Sequence, residues 1–292
     1  MKKAKTILRL LRPHQYVKNL FVFLPIFFGA KFLNFPCLLK TLVAFVCFSL
    51  TASSVYVFND IHDIQQDRKH PIKKNRPLAS GQITISAASL LLTVLFISGL
   101  GLSTVFLPLA SLIVLAVYVI LNVFYTLKLK HVAILDITII AFGFVLRLLA
   151  GAIAGDIILS HWIIVITFLL ALFLALAKRR DDLLIYLNNG EMVRKSIEGY
   201  NLIFVDTAMS IMAAVIIVSY VLYTVSAEVI QRFHTDKLYF TTFFVVMGVL
   251  RYLQITFVKE ESGSPTKILL HDKFLQGIIV GWLILFGVII YH

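Results

Sequence analysis

The length and number of its apolar segments constrain the fold of this chain more than any other feature. Nine such segments occur, at about 20–35, 39–59, 83–100, 102–124, 132–155, 160–177, 203–227, 237–257 and 274–291. Most of them approach or exceed the roughly 20 residues that an α-helix needs to cross a bilayer. Because 60% of all residues are hydrophobic and only 14% are charged, a water-soluble domain is excluded. The sequence therefore predicts an all-α, polytopic membrane protein with about nine transmembrane helices, the first of them short and broken by Pro25.

Basic residues are distributed unequally between the connecting loops. If nine spans are counted, 21 Lys and Arg residues lie on the side of the amino terminus and four on the other side. The positive-inside rule then places the amino terminus in the cytoplasm, for a protein of the inner or plasma membrane. The net charge of +12 lies in short loops between spans, which favours anionic headgroups and phosphorylated substrates over nucleic acid.

The chain has no linker, low-complexity tract or compositional break. Residues 1–292 are therefore predicted to form a single integral membrane domain. Assembly of this domain into a homo-oligomer is left open by the sequence.

Three aspartates at the end of the second apolar segment form the most informative polar pattern. Asp60, Asp63 and Asp67 follow i, i+3, i+7 spacing, so on a helix their carboxylates project from one face. Asn59 lies four residues before Asp63 and joins that face. Oxygen ligands of this kind suit Mg²⁺, a hard cation that binds carboxylates together with the phosphates of a substrate. The pattern predicts a magnesium site that faces the cytoplasm.

Five basic residues follow the aspartates directly. They are Arg68, Lys69, Lys73, Lys74 and Arg76. Carboxylates for a metal beside cations for phosphate oxygens are what a diphosphate site needs. A merely solvated acidic helix end is less favoured, because acidic residues at the end of a membrane span are costly and usually functional.

A second charged cluster ends the sixth apolar segment, and it comprises residues 178–182, Lys-Arg-Arg-Asp-Asp. Both clusters are predicted on the cytoplasmic face, where their loops cap a polar cavity. Within the fifth segment, Asp136, Gly143 and Arg147 share one helical stripe, which Gly151 and Gly155 continue. The glycines favour close helix packing. For Arg147, deep in an apolar segment, we favour the binding of an anion.

The first motif carries a family resemblance. Asn-Asp-x-x-Asp-x-x-x-Asp at residues 59–67, followed by Lys74-x-Arg76-Pro77 and Gly81, resembles the UbiA-type intramembrane prenyltransferase superfamily. The resemblance covers essentially the whole chain. It implies a bundle of about nine helices around a central cavity that faces the cytoplasm, and two aspartate-rich motifs that bind Mg²⁺ and a diphosphate. The second motif departs from the usual Asp-x-x-x-Asp, since Asp181 and Asp182 are adjacent.

Four segments, the last of which contains this departure, are similar to one branch of the superfamily, the decaprenyl-phosphate phosphoribosyltransferases. The segments are residues 12–19 (Arg-Pro-His-Gln-Tyr-Val-Lys-Asn), Tyr125-Thr126-x-x-x-Lys130 with Asp136, Arg147-x-x-Ala150-Gly151, and Lys178-Arg179-x-x-Asp182. The branch usually has glutamate at the place of Asp182. The resemblance implies transfer of 5-phosphoribose from phosphoribosyl diphosphate (PRPP) to a polyprenyl phosphate, with Mg²⁺ as cofactor.

Site roles are expected as follows. Asp60, Asp63, Asp67 and Asp182 are expected to be catalytic, and together with Asn59 to hold the metal. Substrate-binding residues are expected at Lys18, Asn19, Asn59, Lys74, Arg76, Tyr125, Lys130, Asp136, Arg147, Lys178 and Arg179. The lipid phosphate is already an anionic nucleophile, so no general base is required. For the segment of residues 12–19, a role as an interfacial anchor is weighed equally with phosphate binding.

Two alternatives remain open. The first is a prenyltransferase that moves a prenyl group from a prenyl diphosphate to an aromatic or other small acceptor, which the first motif supports equally well. The second is a transporter or channel that uses the acidic residues as an ion path. The clustering of charges at one face rather than across the membrane disfavours that second alternative.

Overall fold

The computed structural model describes residues 2–69, 73–190 and 195–291, and in these ranges it contains helices, turns and loops but no β-strand. The α-helices are α1 (Lys2–Leu11), α2 (Leu24–Phe28), α3 (Phe35–His62), α4 (Ile64–Lys69), α5 (Ile85–Phe106), α6 (Leu109–Leu127), α7 (Leu135–Ala154), α8 (His161–Asn189), α9 (Leu202–Val225), α10 (Ala227–Phe233), α11 (Thr242–Phe257), α12 (Pro265–His271) and α13 (Lys273–Tyr291). Short 3₁₀ helices occupy Pro13–Phe23, Lys73–Asn75, Leu129–His131, Lys195–Gly199 and Lys237–Thr241.

Eight of the described helices are long and apolar enough to cross a membrane. They are α3, α5, α6, α7, α8, α9, α11 with the 3₁₀ turn before it, and α13. The prediction of an all-α, polytopic membrane protein is confirmed. The count of about nine transmembrane helices is not confirmed, because the first predicted segment does not form one long helix.

Residues 20–35 instead comprise the end of an 11-residue 3₁₀ helix (Pro13–Phe23), the five residues of α2 and the turn before α3. Pro25 lies in the first turn of α2, where its missing N–H costs no hydrogen bond, but it cannot continue a preceding α-helix. At about 2.0 Å per 3₁₀ residue and about 1.5 Å per α residue, the two helices together extend about 30 Å. This length is comparable to the hydrocarbon thickness of a bilayer.

The segment of residues 13–28 runs antiparallel to α3 along most of its length. The contacts, in chain order, are Arg12 Nη2 to Asp60 Oδ1 (2.5 Å), Tyr16 OH to Ser53 Oγ (2.9 Å), Asn19 Nδ2 to Ser49 Oγ (2.9 Å), and the rings of Phe23 and Phe45 (5.5 Å between centroids). Uninterrupted 3₁₀ helices of this length are uncommon. Side-chain hydrogen bonds to α3 therefore stabilise a conformation that the backbone alone disfavours.

Glycines of α7 let this segment approach closely. A Cβ atom at Gly151 would lie 1.8 Å from the carbonyl oxygen of Val22, and one at Gly155 would lie 2.9 Å from Ile26 Cγ2. The backbone of the 3₁₀ helix thus occupies the space that a side chain at residue 151 would need. The packing role predicted for these glycines is confirmed.

The chain divides into two compact units. The first comprises residues 1–130 and 146–158, and the second comprises residues 131–145 and 159–292. In the first unit, α3 packs against α5, α6 and the 3₁₀ helix of residues 13–23 around buried Val22, Phe48, Ala52 and Tyr118. In the second unit, α8 packs against α9, and α11 packs against α9 and α13, around buried Phe173, Met209 and Tyr252. The single domain over residues 1–292 stays a prediction.

We predict that Gly151→Ala destabilises the protein, by about 1–3 kcal/mol, because the new methyl group collides with the backbone of Val22. Thermal unfolding of the detergent-purified protein measures the effect. Gly101→Ala is the matched control, since a Cβ at this helical glycine of α5 meets nothing within 4 Å. Alanine favours helix over glycine by about 1 kcal/mol, so the control should be neutral or stabilising. An unchanged or higher melting temperature for Gly151→Ala would contradict the packing argument.

Candidate active site

The first polar cluster lies at the carboxyl-terminal end of α3. Asp60 belongs to the last turn of α3, Asp63 caps the helix, and Asp67 lies in α4. The backbone bonds from Asp63 N to Asn59 O (2.9 Å) and from Asp67 N to Asp63 O (2.8 Å) continue the i→i−4 pattern across the junction. The predicted helical face therefore survives the short interruption at Asp63, and the three carboxylates stay on it.

Each of these aspartates contacts a basic side chain from elsewhere in the first unit. The ion pairs are Arg12 Nη2 to Asp60 Oδ1 (2.5 Å), Arg76 Nη1 to Asp60 Oδ1 (3.1 Å), Arg76 Nη1 to Asp67 Oδ2 (2.7 Å), and Lys130 Nζ to Asp63 Oδ1 (2.5 Å). Asp60 and Asp67 are only 2% and 4% exposed. Buried carboxylates are costly unless they are paired, so these contacts compensate the charge of the motif.

One nitrogen atom, Arg76 Nη1, lies between two carboxylates. It contacts both Asp60 and Asp67, so their oxygens converge on a single cationic point. Carboxylate oxygens that converge in this way are the donors that Mg²⁺ prefers. Asn59 Oδ1 accepts a hydrogen bond of 3.3 Å from Thr126 Oγ1, which orients the amide. The residues therefore fit a magnesium ion by their chemistry. Within the described part of the chain, no group of three His, Cys, Asp or Glu side chains is arranged to hold a metal ion.

The second polar cluster lies in the second unit, around Asp136 at the start of α7. Asp136 is fully buried, and both of its carboxylate oxygens are used. Its donors are Arg179 Nε (2.6 Å), Ser196 Oγ (3.0 Å), Tyr200 OH (2.7 Å) and the backbone N–H of Ile137 (2.9 Å). Arg179 Nη1 also donates to Asp182 Oδ2 at 2.8 Å. Asp136 and Asp182 thus hold the guanidinium of Arg179 in a fixed orientation.

Tyr200 also supports a strained backbone. Ile134 has a φ of +70°, which β-branched residues rarely adopt, and its N–H donates to Tyr200 OH at 2.7 Å. The hydroxyl in turn donates to Asp136, and burial together with this hydrogen bond raises the pKa of Tyr200. The short 3₁₀ helix of residues 195–199 is thereby attached to the start of α7. Strained backbone of this kind persists where surrounding contacts hold it, often at functional sites.

Arg147 lies apart from the acidic motif, inside the first unit. It is 4% exposed, and its Nε donates to Asn19 Oδ1 at 2.8 Å while Nη2 donates to Tyr118 OH at 3.3 Å. Its guanidinium also lies over the rings of Phe48 and Tyr118, at 4.9 Å and 5.2 Å from their centroids. Arg147 therefore connects α7 to the 3₁₀ helix of residues 13–23, to α3 and to α6. Binding of an anion by this residue stays a prediction.

The remaining predicted site residues are more exposed. Lys74 is exposed in the 3₁₀ turn before Arg76, whereas Lys18, Tyr125 and Lys178 are half-buried. Lys18 adjoins Asn19 in the 3₁₀ helix, Tyr125 lies in the last turns of α6, and Lys178 precedes Arg179 on α8. The structure therefore groups Asn59, Arg76 and Lys130 with the three aspartates of the first cluster, and Asp136 and Arg179 with Asp182 in the second.

Four further residues of these clusters were not predicted as site residues. Thr126 orients Asn59, Arg12 pairs with Asp60, and Ser196 and Tyr200 hold Asp136. Arg12 belongs to the segment of residues 12–19, for which the sequence supports a membrane anchor and a phosphate-binding role equally. Ser196 and Tyr200 carry no motif, and their role arises only from the folding of their loop against α7.

Among the described residues, eight helices are long and apolar enough to cross a membrane, and buried ion pairs join charged residues of several helices, as in a polytopic membrane protein. The chain belongs to the UbiA prenyltransferase family, whose model matches residues 20–278. Its curated relatives include the decaprenyl-phosphate phosphoribosyltransferase of Mycolicibacterium smegmatis, 32% identical over 98% of this chain and 92% of the relative. The enzyme of the same name from Corynebacterium glutamicum is 31% identical over 96% of this chain and 85% of the relative.

Solved structures of the same family share the fold. A UbiA homologue from Archaeoglobus fulgidus bound to GPP and Mg²⁺ superposes with a TM-score of 0.75 and 18% identity, over 98% of this chain and all of that one. A solved structure of a digeranylgeranylglyceryl phosphate synthase superposes with a TM-score of 0.68 and 23% identity over the full length of both chains. At these identities the likeness establishes the fold.

We predict that Tyr200→Phe lowers the free energy of unfolding by about 1–3 kcal/mol, because Asp136 and the N–H of Ile134 each lose a buried partner. Turnover should fall with it, since Arg179 is less firmly held. Thermal unfolding and transferase assays on the purified protein measure both effects. Tyr186→Phe is the control, because Tyr186 is 38% exposed on α8. Equal behaviour of the two variants would refute the role of the Tyr200 hydroxyl.

Proposed function

We propose that this protein transfers 5-phosphoribose from PRPP to a polyprenyl phosphate, with Mg²⁺ as cofactor and release of diphosphate. The observation that carries the proposal is the second cluster. Where a family prenyltransferase is expected to have a second pair of spaced aspartates, this chain has Arg179 fixed between Asp136 and Asp182. An oriented guanidinium suits a further anionic group on the substrate, and PRPP carries a 5-phosphate that a prenyl diphosphate lacks. The names of the relatives that align over nearly the whole chain support the same assignment.

Asp60, Asp67 and Asn59 would hold Mg²⁺, with Asp63 as a further candidate ligand, and the role of Asp182 as a metal ligand stays a prediction. The ion supplies Lewis acidity, which neutralises charge on the diphosphate as it leaves. Arg76, Arg12 and Lys130, which contact the aspartates of the first cluster, are the cations available for the oxygens of the diphosphate. Lys74 in the adjoining exposed turn adds a further charge.

In the reaction, the bond between ribose C1 and the diphosphate oxygen breaks, and a bond between C1 and an oxygen of the lipid phosphate forms. The lipid phosphate is anionic at neutral pH, so no proton has to be removed from it. Catalysis then depends on orientation and on fixed charges around an oxocarbenium-like centre. Arg179 fits this demand, because Asp136 orients its guanidinium and is itself held by Tyr200 and Ser196. Preorganised charges need no rearrangement during the reaction.

One proposed substrate is dissolved in water and the other lies in the membrane, so the site has to be reached from both. PRPP is water-soluble, whereas the polyprenyl phosphate lies in the membrane with its isoprenoid tail along the apolar helices. The excess of basic residues near the first cluster supports a cytoplasmic site and a cytoplasmic amino terminus, in the inner or plasma membrane.

A prenyltransferase acting on an aromatic or other small acceptor is the second candidate. It is favoured by one specific observation, the structural likeness to a homologue bound to GPP and Mg²⁺. The first cluster serves either donor, because both donors carry a diphosphate. The donor is therefore the property that an experiment must decide.

A donor-choice assay tests the proposal. Purified protein with Mg²⁺ is offered radiolabelled PRPP with a polyprenyl phosphate and, in parallel, a prenyl diphosphate with aromatic acceptors. We predict label from PRPP in the lipid fraction, and a loss of turnover of about 100-fold or more for Asp67→Asn, which removes one of the carboxylates that converge on a cation. A prenylated aromatic product, without transfer from PRPP, would overturn the proposal in favour of the second candidate.

A further inference from the structure

Arg76 bridges Asp60 and Asp67, two carboxylates that would hold the metal ion. Its Nη1 contacts Asp60 Oδ1 at 3.1 Å and Asp67 Oδ2 at 2.7 Å. Arg12 Nη2 contacts the same oxygen of Asp60 at 2.5 Å. A divalent cation placed on these oxygens would lie within a few ångströms of two guanidinium groups. At such distances the repulsion between like charges is substantial at the low effective dielectric of a buried site.

The same guanidinium groups are suited to a diphosphate. Arginine presents a planar fork of N–H donors that matches phosphate oxygens, and it stays charged at all relevant pH values. The side chain of Arg76 is 27% exposed, and the residue follows a short 3₁₀ turn rather than lying inside a long helix. Arg12 is held more firmly, because its guanidinium also lies over the ring of Tyr56, at 5.4 Å from the centroid.

We propose that Arg76, assisted by Arg12, exchanges partners during binding. The two arginines neutralise Asp60 and Asp67 until a diphosphate arrives, and they then bind the diphosphate, which frees the carboxylate oxygens for the metal. The inference rests on the proposed function for the identity of the diphosphate-bearing donor, but it applies to any donor with this group. It makes the binding of the metal and of the donor mutually dependent, because each relieves the charge that the other leaves unbalanced.

This exchange predicts opposite effects of one substitution on two ligands. Arg76→Gln removes the competing cation, so Mn²⁺ alone, used as the probe for the divalent site, should bind about tenfold more tightly than to the unchanged protein. The same substitution removes a phosphate ligand, so the Mn²⁺–diphosphate complex should bind about tenfold more weakly. A residue that merely shapes the site would change both affinities in the same direction.

The experiment uses the full-length protein in detergent, with Mn²⁺ binding followed by electron paramagnetic resonance and Mn²⁺–diphosphate binding followed by calorimetry. Arg76→Lys keeps the charge and should leave the affinity for Mn²⁺ alone close to that of the unchanged protein. Of the two carboxylates, Arg12 contacts only that of Asp60. Arg12→Gln should therefore increase the affinity for Mn²⁺ less than Arg76→Gln does. Asp67→Asn combined with Arg76→Gln should lose the gain, which assigns the bound Mn²⁺ to this site.

Arg9→Gln is the matched control for a general change of charge. Arg9 is exposed on α1 and donates through Nη2 to the carbonyl oxygen of Asn75 at 2.9 Å, so it lies near Arg76 and contacts a neutral group. This variant should change neither affinity. Tighter Mn²⁺ binding in Arg76→Gln with unchanged behaviour of Arg9→Gln supports the exchange.

Weaker or unchanged Mn²⁺ binding in a folded Arg76→Gln protein would overturn the exchange, as would an equal gain in Arg76→Lys. Should Arg76→Gln fail to fold, Arg12→Gln tests the same prediction, because it should also bind Mn²⁺ more tightly than the unchanged protein. These outcomes are independent of the donor-choice assay, because inorganic diphosphate is the leaving group of PRPP and of prenyl diphosphates alike.

Discussion

Compensation of the buried aspartates at the end of α3 is the constraint on which the first cluster depends. A carboxylate removed from water costs several kcal/mol unless a cation and hydrogen bonds replace the solvent. The cations come from three separate parts of the chain, namely Arg12 before the first 3₁₀ helix, Arg76 after α4 and Lys130 after α6. The cations that compensate the aspartates therefore also attach these three segments to α3.

The buried charges of the second cluster and of the apolar interior are also compensated, but by different partners. Asp136 is satisfied by four donors, among them the hydroxyls of Ser196 and Tyr200, and it fixes Arg179. Arg147, by contrast, is held by an amide, a phenol and two aromatic rings inside the first unit. Because Asp136 and Arg147 are held by partners distant in the sequence, these two groups, together with Arg179, are oriented before a substrate binds. Preorganisation of this kind is how a transferase without a general base can stabilise charge.

Sequence periodicity was sufficient to predict the apolar helices and the acidic face, since burial in lipid leaves few alternatives to helices for apolar segments of this length. It did not predict the 3₁₀ helix of residues 13–23, because this helix depends on contacts of Tyr16 and Asn19 with α3 and on Gly151 of α7, which local propensity does not encode. The same limit applies to Asp136, which the sequence placed on a stripe with Arg147, whereas the structure pairs it with Arg179. Pairings across more than 40 residues are set by tertiary packing, and a single sequence does not display them.

The central claim is that this member of the UbiA family takes a phosphoribosyl donor. Its most direct test is the affinity of the purified protein, with Mg²⁺, for PRPP and for geranyl diphosphate, measured side by side by calorimetry. The account predicts that PRPP binds more tightly by about tenfold or more, and that Arg179→Gln removes most of this difference, because the oriented guanidinium then no longer binds the additional phosphate. Tighter binding of geranyl diphosphate, or a preference for PRPP that Arg179→Gln leaves intact, would contradict it.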